Sequence, residues 1–296
     1  MTQPAVSLVI PAFNSRSYLA TNVARAAEFF RQSAIDAEIL VADDGSTDGT
    51  ADTITESDRI RVLRLAHAGK GAALRAGMTA STGEIRAFTD ADLPYGLEPL
   101  PLALSYIRER RFHAVIGDRT LPGSSYEDSG PLRGVVSELA SFAFRTLVIG
   151  GIYDTQCGFK VFRGDVAAEI FRLARTDGFA IDVEVIYLLL KYRLDLKRIP
   201  VRLEGNAPSS VRVLRDSTQA FTDIARMRLR WASGRYRSAR LVRVLQEDVE
   251  ADLEMAATIA ERLNPGGDRS ESTRRRRRPA EGCKRCRERS DHPASR

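Results

Sequence analysis

Short apolar runs alternate with longer amphipathic stretches through the first half of the chain. Residues 5–11, 37–42, 60–65 and 84–88 are brief and largely apolar, the first of them rich in β-branched side chains, which is how strands buried inside a sheet read. Between them lie helical stretches. The first starts at Ser15 or Ser17, either of which can cap it, and runs to about Gln32. A short one follows Thr50, and a third opens at Ala68-Gly69-Lys70-Gly71 and runs to about Ala80. Strands alternating with helices predict an α/β fold, doubly wound around a mostly parallel sheet. Further along, His113 begins a strand and residues 199–203 read as another. From Ser217 a long helical pattern starts, with Ala220, Ile224, Met227 and Trp231 forming one apolar stripe at spacings of three and four. Asn264-Pro265-Gly266-Gly267 breaks it.

In such sheets ligands bind outside the carboxyl ends of the strands. Four polar clusters are predicted at that one edge: Pro11-Ala12-Phe13-Asn14, Asp43-Asp44-Gly45, Gly69-Lys70-Gly71 and Asp90-Ala91-Asp92. Alternate side chains of an extended segment point the same way, so Asp90 and Asp92 can converge on one point. Two carboxylates there suit a hard divalent cation and, through it, a diphosphate. Taken alone, the pair equally suits a solvated acidic turn. Asp43 and Asp44 suit base or ribose hydrogen bonds, and also plain turn chemistry. Gly-Lys-Gly at a helix start offers backbone N–H groups and a cation to phosphate, or is a surface turn. The chain has no G-x-G-x-x-G after its first strand and no G-x-x-x-x-G-K-[S/T], so two common nucleotide folds are set aside.

Composition changes this picture little: of 296 residues 43% are hydrophobic and 28% charged, which is ordinary for a globular chain. The net charge of +6 belongs to residues 264–296, where eleven Lys/Arg face five Asp/Glu. It therefore says nothing about nucleic acid at the core, and no specific nucleic-acid partner is expected. Cys157, Cys283 and Cys286 make no disulfide framework and suggest a reducing compartment. Cys283 and Cys286 have metal-ligand spacing but too few companions. No stretch reads as a signal peptide or a membrane span, so a cytoplasmic chain is expected. Residues 212–243 carry nine arginines against two acids, so the apolar stripe there suits either an anionic membrane surface or the chain's own core. The acidic segment 247–254 suits pairing with that basic part or with a second subunit. Residues 264–296 read as a disordered Arg-rich tail.

The four clusters, as Val9-Ile-Pro-Ala-Phe-Asn14, Val41-Ala-Asp-Asp-Gly-Ser-Thr-Asp-Gly-Thr50, Gly69-Lys-Gly-Ala-Ala73 and Thr89-Asp-Ala-Asp92, resemble the family 2 glycosyltransferases of the GT-A fold. Ile116-Gly-Asp-Arg119, Arg133-Gly-Val-Val-Ser137, Asp154-Thr-Gln-Cys-Gly-Phe-Lys160 and Ile181-Asp-Val-Glu184 resemble the dolichyl-phosphate β-glucosyltransferase group within it. The resemblance implies a GT-A domain over residues 1–215, a Rossmann-like doubly wound sheet. A basic amphipathic helical extension over 216–263 and the tail over 264–296 follow. It implies that Pro11, Ala12 and Asn14 line a nucleoside pocket, with Asp43, Asp44 and Gly45 at the base and ribose. Lys70 and Gly71 would approach the diphosphate, and Asp90, Ala91 and Asp92 would present Mg²⁺ or Mn²⁺ to it, the two aspartates as ligands. Arg119 and Arg133 would receive an acceptor phosphate, and Gln156, Lys160, Asp182 and Glu184 would complete the sugar and acceptor side. Two departures stand out. Asp118 puts a negative charge beside Arg119, and residues 206–210 lack a lysine that Arg212 would have to replace.

The implied reaction is inverting transfer of a hexose to a polyprenyl (dolichyl-type) phosphate, with UDP-glucose the leading donor. GDP-mannose, or a soluble phosphorylated acceptor, is the alternative within the class. A non-catalytic nucleotide-sugar-binding protein is the alternative outside it. A phosphate acceptor is already mostly ionised near neutrality, with a second pKa of about 6, so no general base is required. A peripheral place on the cytoplasmic membrane face is expected, and a homo-oligomer is compatible.

Overall fold

The computed structural model describes residues 3–124, 154–203 and 213–263. Four strands lie where the hydrophobic runs place them: β1 (Val6–Ala12), β2 (Ala37–Asp43), β3 (Ile60–Arg64) and β4 (Ile85–Phe88). Helices α1 (Leu19–Gln32), α2 (Lys70–Ala80) and α3 (Leu100–Arg108) follow β1, β3 and β4. The expected helix after Thr50 is a single 3-10 turn, Ala51–Thr53. The second half contributes β5 (Ala114–Asp118), β6 (Lys160–Arg163), α4 (Gly164–Leu173), α5 (Ile181–Lys191) and β7 (Leu196–Pro200). It closes with α6 (Val213–Ala232) and α7 (Ala239–Leu263).

The strands form one seven-stranded sheet in the order β3-β2-β1-β4-β6-β5-β7. All run parallel except β6, which is antiparallel to both β4 and β5. That reversal matters for the site. The first residue of β6, Lys160, pairs with the last of β4, Phe88, and so arrives at the edge where the parallel strands end. Side-chain alternation divides the core between the two faces of the sheet. Val9, Leu40 and Phe88 face Leu74 and Met78 of α2 and Phe171 of α4. Leu8, Ile10, Ile39 and Val41 face Leu19 and Val23 of α1 and Leu100 and Leu104 of α3. Each such fully buried side chain contributes on the order of 1.5–3 kcal/mol.

Three expectations are corrected. The strand expected at 199–203 is β7, three residues earlier, because Leu196 to Pro200 pair with Ala114 to Asp118 and Pro200 has no N–H to carry the ladder on. The single long helix expected from Ser217 starts earlier and is two helices. Gly234, at φ +75°, ends the first, with Gly234 N–H donating to Trp231 O at 3.0 Å. Of its apolar stripe, Met227 is fully buried, Ile224 nearly so, and Trp231 packs edge-to-face on Tyr187 and Tyr192. That face belongs to the protein's own core and is not available to a membrane. Among the described residues no helix is long and apolar enough to cross one.

The chain divides into two compact units, Met1–Gln246 and Glu247–Arg296. Everything below concerns the first. Of the second, residues 247–263 are helical. Arg133, Ser137, residues 206–210, Arg212, Cys283, Cys286 and the tail lie outside the described residues.

Candidate active site

The carboxyl edge of the sheet gathers charge in an order set by the strands. Asp43 ends β2, beside Ala12 at the end of β1. Asp90 follows β4, Lys160 opens β6, and Asp118 ends β5 with Arg119 next to it. Adjacent strands lie about 4.8 Å apart, so Asp43, Asp90 and Arg119 are spread over roughly 20 Å of edge.

At the centre Lys70, the first residue of α2, places Nζ 2.6 Å from Asp90 Oδ1 and 3.4 Å from Asp182 Oδ2. Asp182 stands in the first turn of α5 and also pairs with Lys160, whose Nζ donates to it and, at 2.7 Å, to Cys157 O. Lys160 is completely buried, with its ammonium 5.2 Å from the centre of the Phe88 ring. Burial opposes ionisation of both Lys70 and Asp182. The facing charges outweigh it: Asp182 and Asp90 hold Lys70 above the ordinary lysine range, and Lys160 and Lys70 hold Asp182 below the ordinary carboxylate range. Asp92 behaves oppositely, pushed up by burial and by the like charge of Asp90. Tertiary contacts fix this turn. Asn22 of α1 donates to Ala91 O at 2.9 Å, and a Cβ at Gly158 would lie 2.0 Å from Asp90 Oδ2. Neither Asn22 nor Gly158 was expected as a site residue, since each acts from far along the chain.

At the β2 end, Asp43 is buried and its Oδ1 has no hydrogen-bond partner, while Oδ2 accepts from Ser46 N–H at 3.3 Å. Thr89 Oγ1, after β4, is likewise buried without one. Buried polar atoms are nearly always satisfied, so an open acceptor at this edge has the chemistry to take a donor N–H or O–H. Asn14, at φ +48°, accepts from Thr47 N–H at 3.0 Å, and Pro11 and Ala12 are buried. Phe13 stacks on His67 at 4.2 Å, leaving both rings substantially exposed.

Asp44 differs from its neighbour. Its two oxygens accept from Ala68 and Gly69 N–H, both at 2.8 Å, so this carboxylate braces the loop into α2. Gly45, at φ +69° and with its would-be Cβ 2.7 Å from His67 N, is needed for the same close approach. Gly71 also departs from expectation. Its N–H donates to Asp177 O at 2.6 Å and a Cβ there would strike Thr176 O at 2.2 Å, so the glycine admits a crossing loop where phosphate was expected. Lys160, wholly enclosed, is a counter-ion of Asp182 and does not reach a substrate directly. Glu184 faces away from the lysines. It accepts from Arg175 and Thr176 N–H, from Tyr236 Oη and from Arg230.

On the β5 side Arg119 is held by Asp154 through Nε and Nη2, each at 2.8 Å. The pair keeps Asp154 below its ordinary range against the effect of burial. Asp118 does not oppose Arg119. It is buried, accepts from Thr120 N–H at 2.8 Å and pairs with Arg198 at 3.0 Å. Gln156 is exposed on the segment between Asp154 and Lys160. Cys157 is a buried free thiol, pushed up to about 12 by burial.

Among the described residues no three His, Cys, Asp or Glu side chains converge as a self-sufficient metal site. Asp90 and Asp92 alone fit a hard cation that takes one or two carboxylates and completes its shell with phosphate oxygens. A model of the family described as glycosyl transferase family 2 matches residues 7–171, more than half of the chain. The chain belongs to glycosyl transferase family 2. It is a glycosyltransferase on a GT-A fold. It is 29% identical to a dolichyl-phosphate β-glucosyltransferase of Dictyostelium discoideum over 77% of this chain and 75% of that one. It is 28% identical to the human enzyme of the same name over 78% and 77%. Among solved structures, glucosyl-3-phosphoglycerate synthase of Mycobacterium tuberculosis superposes with a TM-score of 0.57 at 18% identity, covering 76% of this chain and 80% of that one. At that identity the likeness speaks to the fold.

Proposed function

We propose that this glycosyltransferase moves glucose from UDP-glucose to a polyprenyl phosphate of the dolichyl type. The observation that carries the reading is the order of groups along the sheet edge: the open acceptor of Asp43, then Lys70 with Asp90 and Asp92, then Arg119. Those three stations match the base, the diphosphate and an acceptor phosphate. The relatives' names supply the donor sugar and the lipid. Asp43 Oδ1 receives a base or ribose donor, and Phe13 offers a flat face beside it. Asp90 and Asp92 hold Mg²⁺ or Mn²⁺, which when bound supplies positive charge against the departing diphosphate. Lys70 adds its own charge there. Structures of the tuberculosis enzyme named above include one described as a complex with Mn²⁺ and UDP-glucose, which supports the same combination.

No general base is needed. An oxygen of the acceptor phosphate, already ionised, forms the new bond to the anomeric carbon as the bond to the diphosphate breaks and UDP leaves. Arg119 receives the acceptor and Asp154 fixes its guanidinium plane, with Arg133 as its companion; positioning and charge carry the rate. Asp182 and Lys160 are positioning residues beneath Lys70.

The test is nucleoside diphosphate release with Mn²⁺, comparing UDP-glucose and GDP-mannose, with and without a polyprenyl phosphate. UDP release that depends on the lipid, with glucose entering the organic phase, is expected. Release that ignores the lipid but answers to a small phosphorylated acid would move the acceptor assignment to a soluble compound. Release only from GDP-mannose would overturn the donor.

A further inference from the structure

The carboxylate expected to meet a cation is already taken. Lys70 Nζ lies 2.6 Å from Asp90 Oδ1, and the Lys70 side chain is only 15% exposed, so water screens the pair weakly. Asp90 has little freedom to withdraw. Its Oδ2 occupies the space that any side chain at residue 158 would fill, and the adjoining Ala91 carbonyl is tied to Asn22. Lys70, by contrast, has a second anchor in Asp182 at 3.4 Å. That anchor is fixed in turn by the enclosed Lys160.

We infer that Lys70 and a divalent cation compete for Asp90, and that Lys70 yields this carboxylate only when the donor's diphosphate arrives. The inference rests on the donor reading above and adds an order of assembly to it. Asp90 and Asp182 pair with the ammonium groups of Lys70 and Lys160, and Asp92 lies in the field of Asp90 and Lys70, so three carboxylates are set against two ammonium groups. The cluster thus offers a bare dication a single net negative charge, and one of the two oxygen donors is engaged. A diphosphate changes the balance. Lys70 can turn toward its oxygens while remaining within reach of Asp182, and Asp90 is released. Nucleotide and cation then strengthen each other's binding by the same factor, because coupling between two sites is reciprocal.

Mn²⁺ titrations followed by the electron paramagnetic resonance of the free ion test this without turnover. Wild type should bind Mn²⁺ weakly alone, and UDP should raise that affinity about tenfold or more. Lys70→Met should bind Mn²⁺ without nucleotide about tenfold more tightly than wild type, and UDP should add less. Lys70→Arg, which restores the charge, should return to the wild-type pattern. Asp182 keeps Lys160 in the Met variant, so the buried pair survives, and circular dichroism checks the fold. Equal nucleotide-free Mn²⁺ affinity in wild type and Lys70→Met would overturn the competition. UDP-enhanced Mn²⁺ binding by wild type would in that event leave the donor reading standing. No Mn²⁺ bound by either protein, with or without UDP or GDP, would overturn both.

Discussion

Asp182 and Glu184 stand two residues apart in the first turn of α5, and both are buried. Two residues along a helix is a rotation of about 200°, so they face opposite sides. Among the described residues Asp182 pairs with the ends of two long side chains, Lys70 and Lys160. Glu184 meets two backbone N–H groups, Arg175 at 2.9 Å and Thr176 at 2.7 Å, together with Tyr236 and Arg230. The same chemical group therefore does two kinds of work. Lysine ammonium groups can turn to a new anion at low cost in backbone energy, so the Asp182 side can respond to a ligand. Backbone amides and a buried phenol cannot, so the Glu184 side closes the chain. It ties the segment around Tyr236 to the loop at residues 175–178, whose carbonyls accept from the Arg75 guanidinium and the Gly71 N–H of α2. The closed side thus supports the helix that carries Lys70, without touching the charges above it.

The largest break in this comparison is Asp182→Asn. It leaves Lys160 buried without a counter-ion and should cost about 3–5 kcal/mol in urea unfolding at neutral pH. The folded pKa of Asp182 lies below its unfolded value. Its contribution is therefore present above the unfolded pKa of about 3.9 and is lost as pH falls through the lower folded one. The wild-type advantage over the variant should shrink in acid accordingly. UDP affinity should fall as well, since Lys70 loses its second anchor.

A smaller effect should follow from Tyr236→Phe, which removes one charge-assisted hydrogen bond from Glu184 and leaves three other donors in place. About 1.5–3 kcal/mol of stability should be lost. If that side only closes the chain, UDP affinity of the folded variant should stay within about twofold of wild type. A large loss of UDP affinity without loss of stability would erase the distinction between the two faces.

The smallest effect has the opposite sign. Burial and the charge of Asp90 raise the Asp92 pKa, so folding favours its protonated form. Stability from Asp92 is fullest below the unfolded pKa and is lost as pH rises through the raised one. Asp92→Asn should therefore raise the Tm slightly at pH 7, with the gain shrinking in added salt, while Mn²⁺ binding and turnover fall. A lower Tm would show that the turn, not the charge, dominates there.

Much of the edge was legible from pattern. The runs ending at Ala12, Asp43, Arg64 and Phe88 are strands because each is short, largely apolar and closed by turn residues, and a parallel sheet puts all their ends on one side. Roles were less legible where the partner is remote. Gly71 looked like a phosphate loop because nothing near it in sequence reveals Asp177. Asp44 looked like Asp43, and only the folded loop at Ala68 and Gly69 separates the brace from the open acceptor. The stripe of Ile224, Met227 and Trp231 has the same periodicity whether it meets lipid or Tyr187 and Tyr192.

By itself, then, the order of residues determined the α/β winding and the shared edge, because periodicity and turn chemistry act within a few residues. Tertiary structure alone decided that Lys70 holds Asp90, that Lys160 is enclosed beneath Asp182 and that Glu184 turns away. The bonds of the two lysines to Asp90 and Asp182 join positions 20 to 112 apart in the chain. The antiparallel entry of β6 and the close approaches at Gly71 and Gly158 set them, and no local propensity encodes such distances.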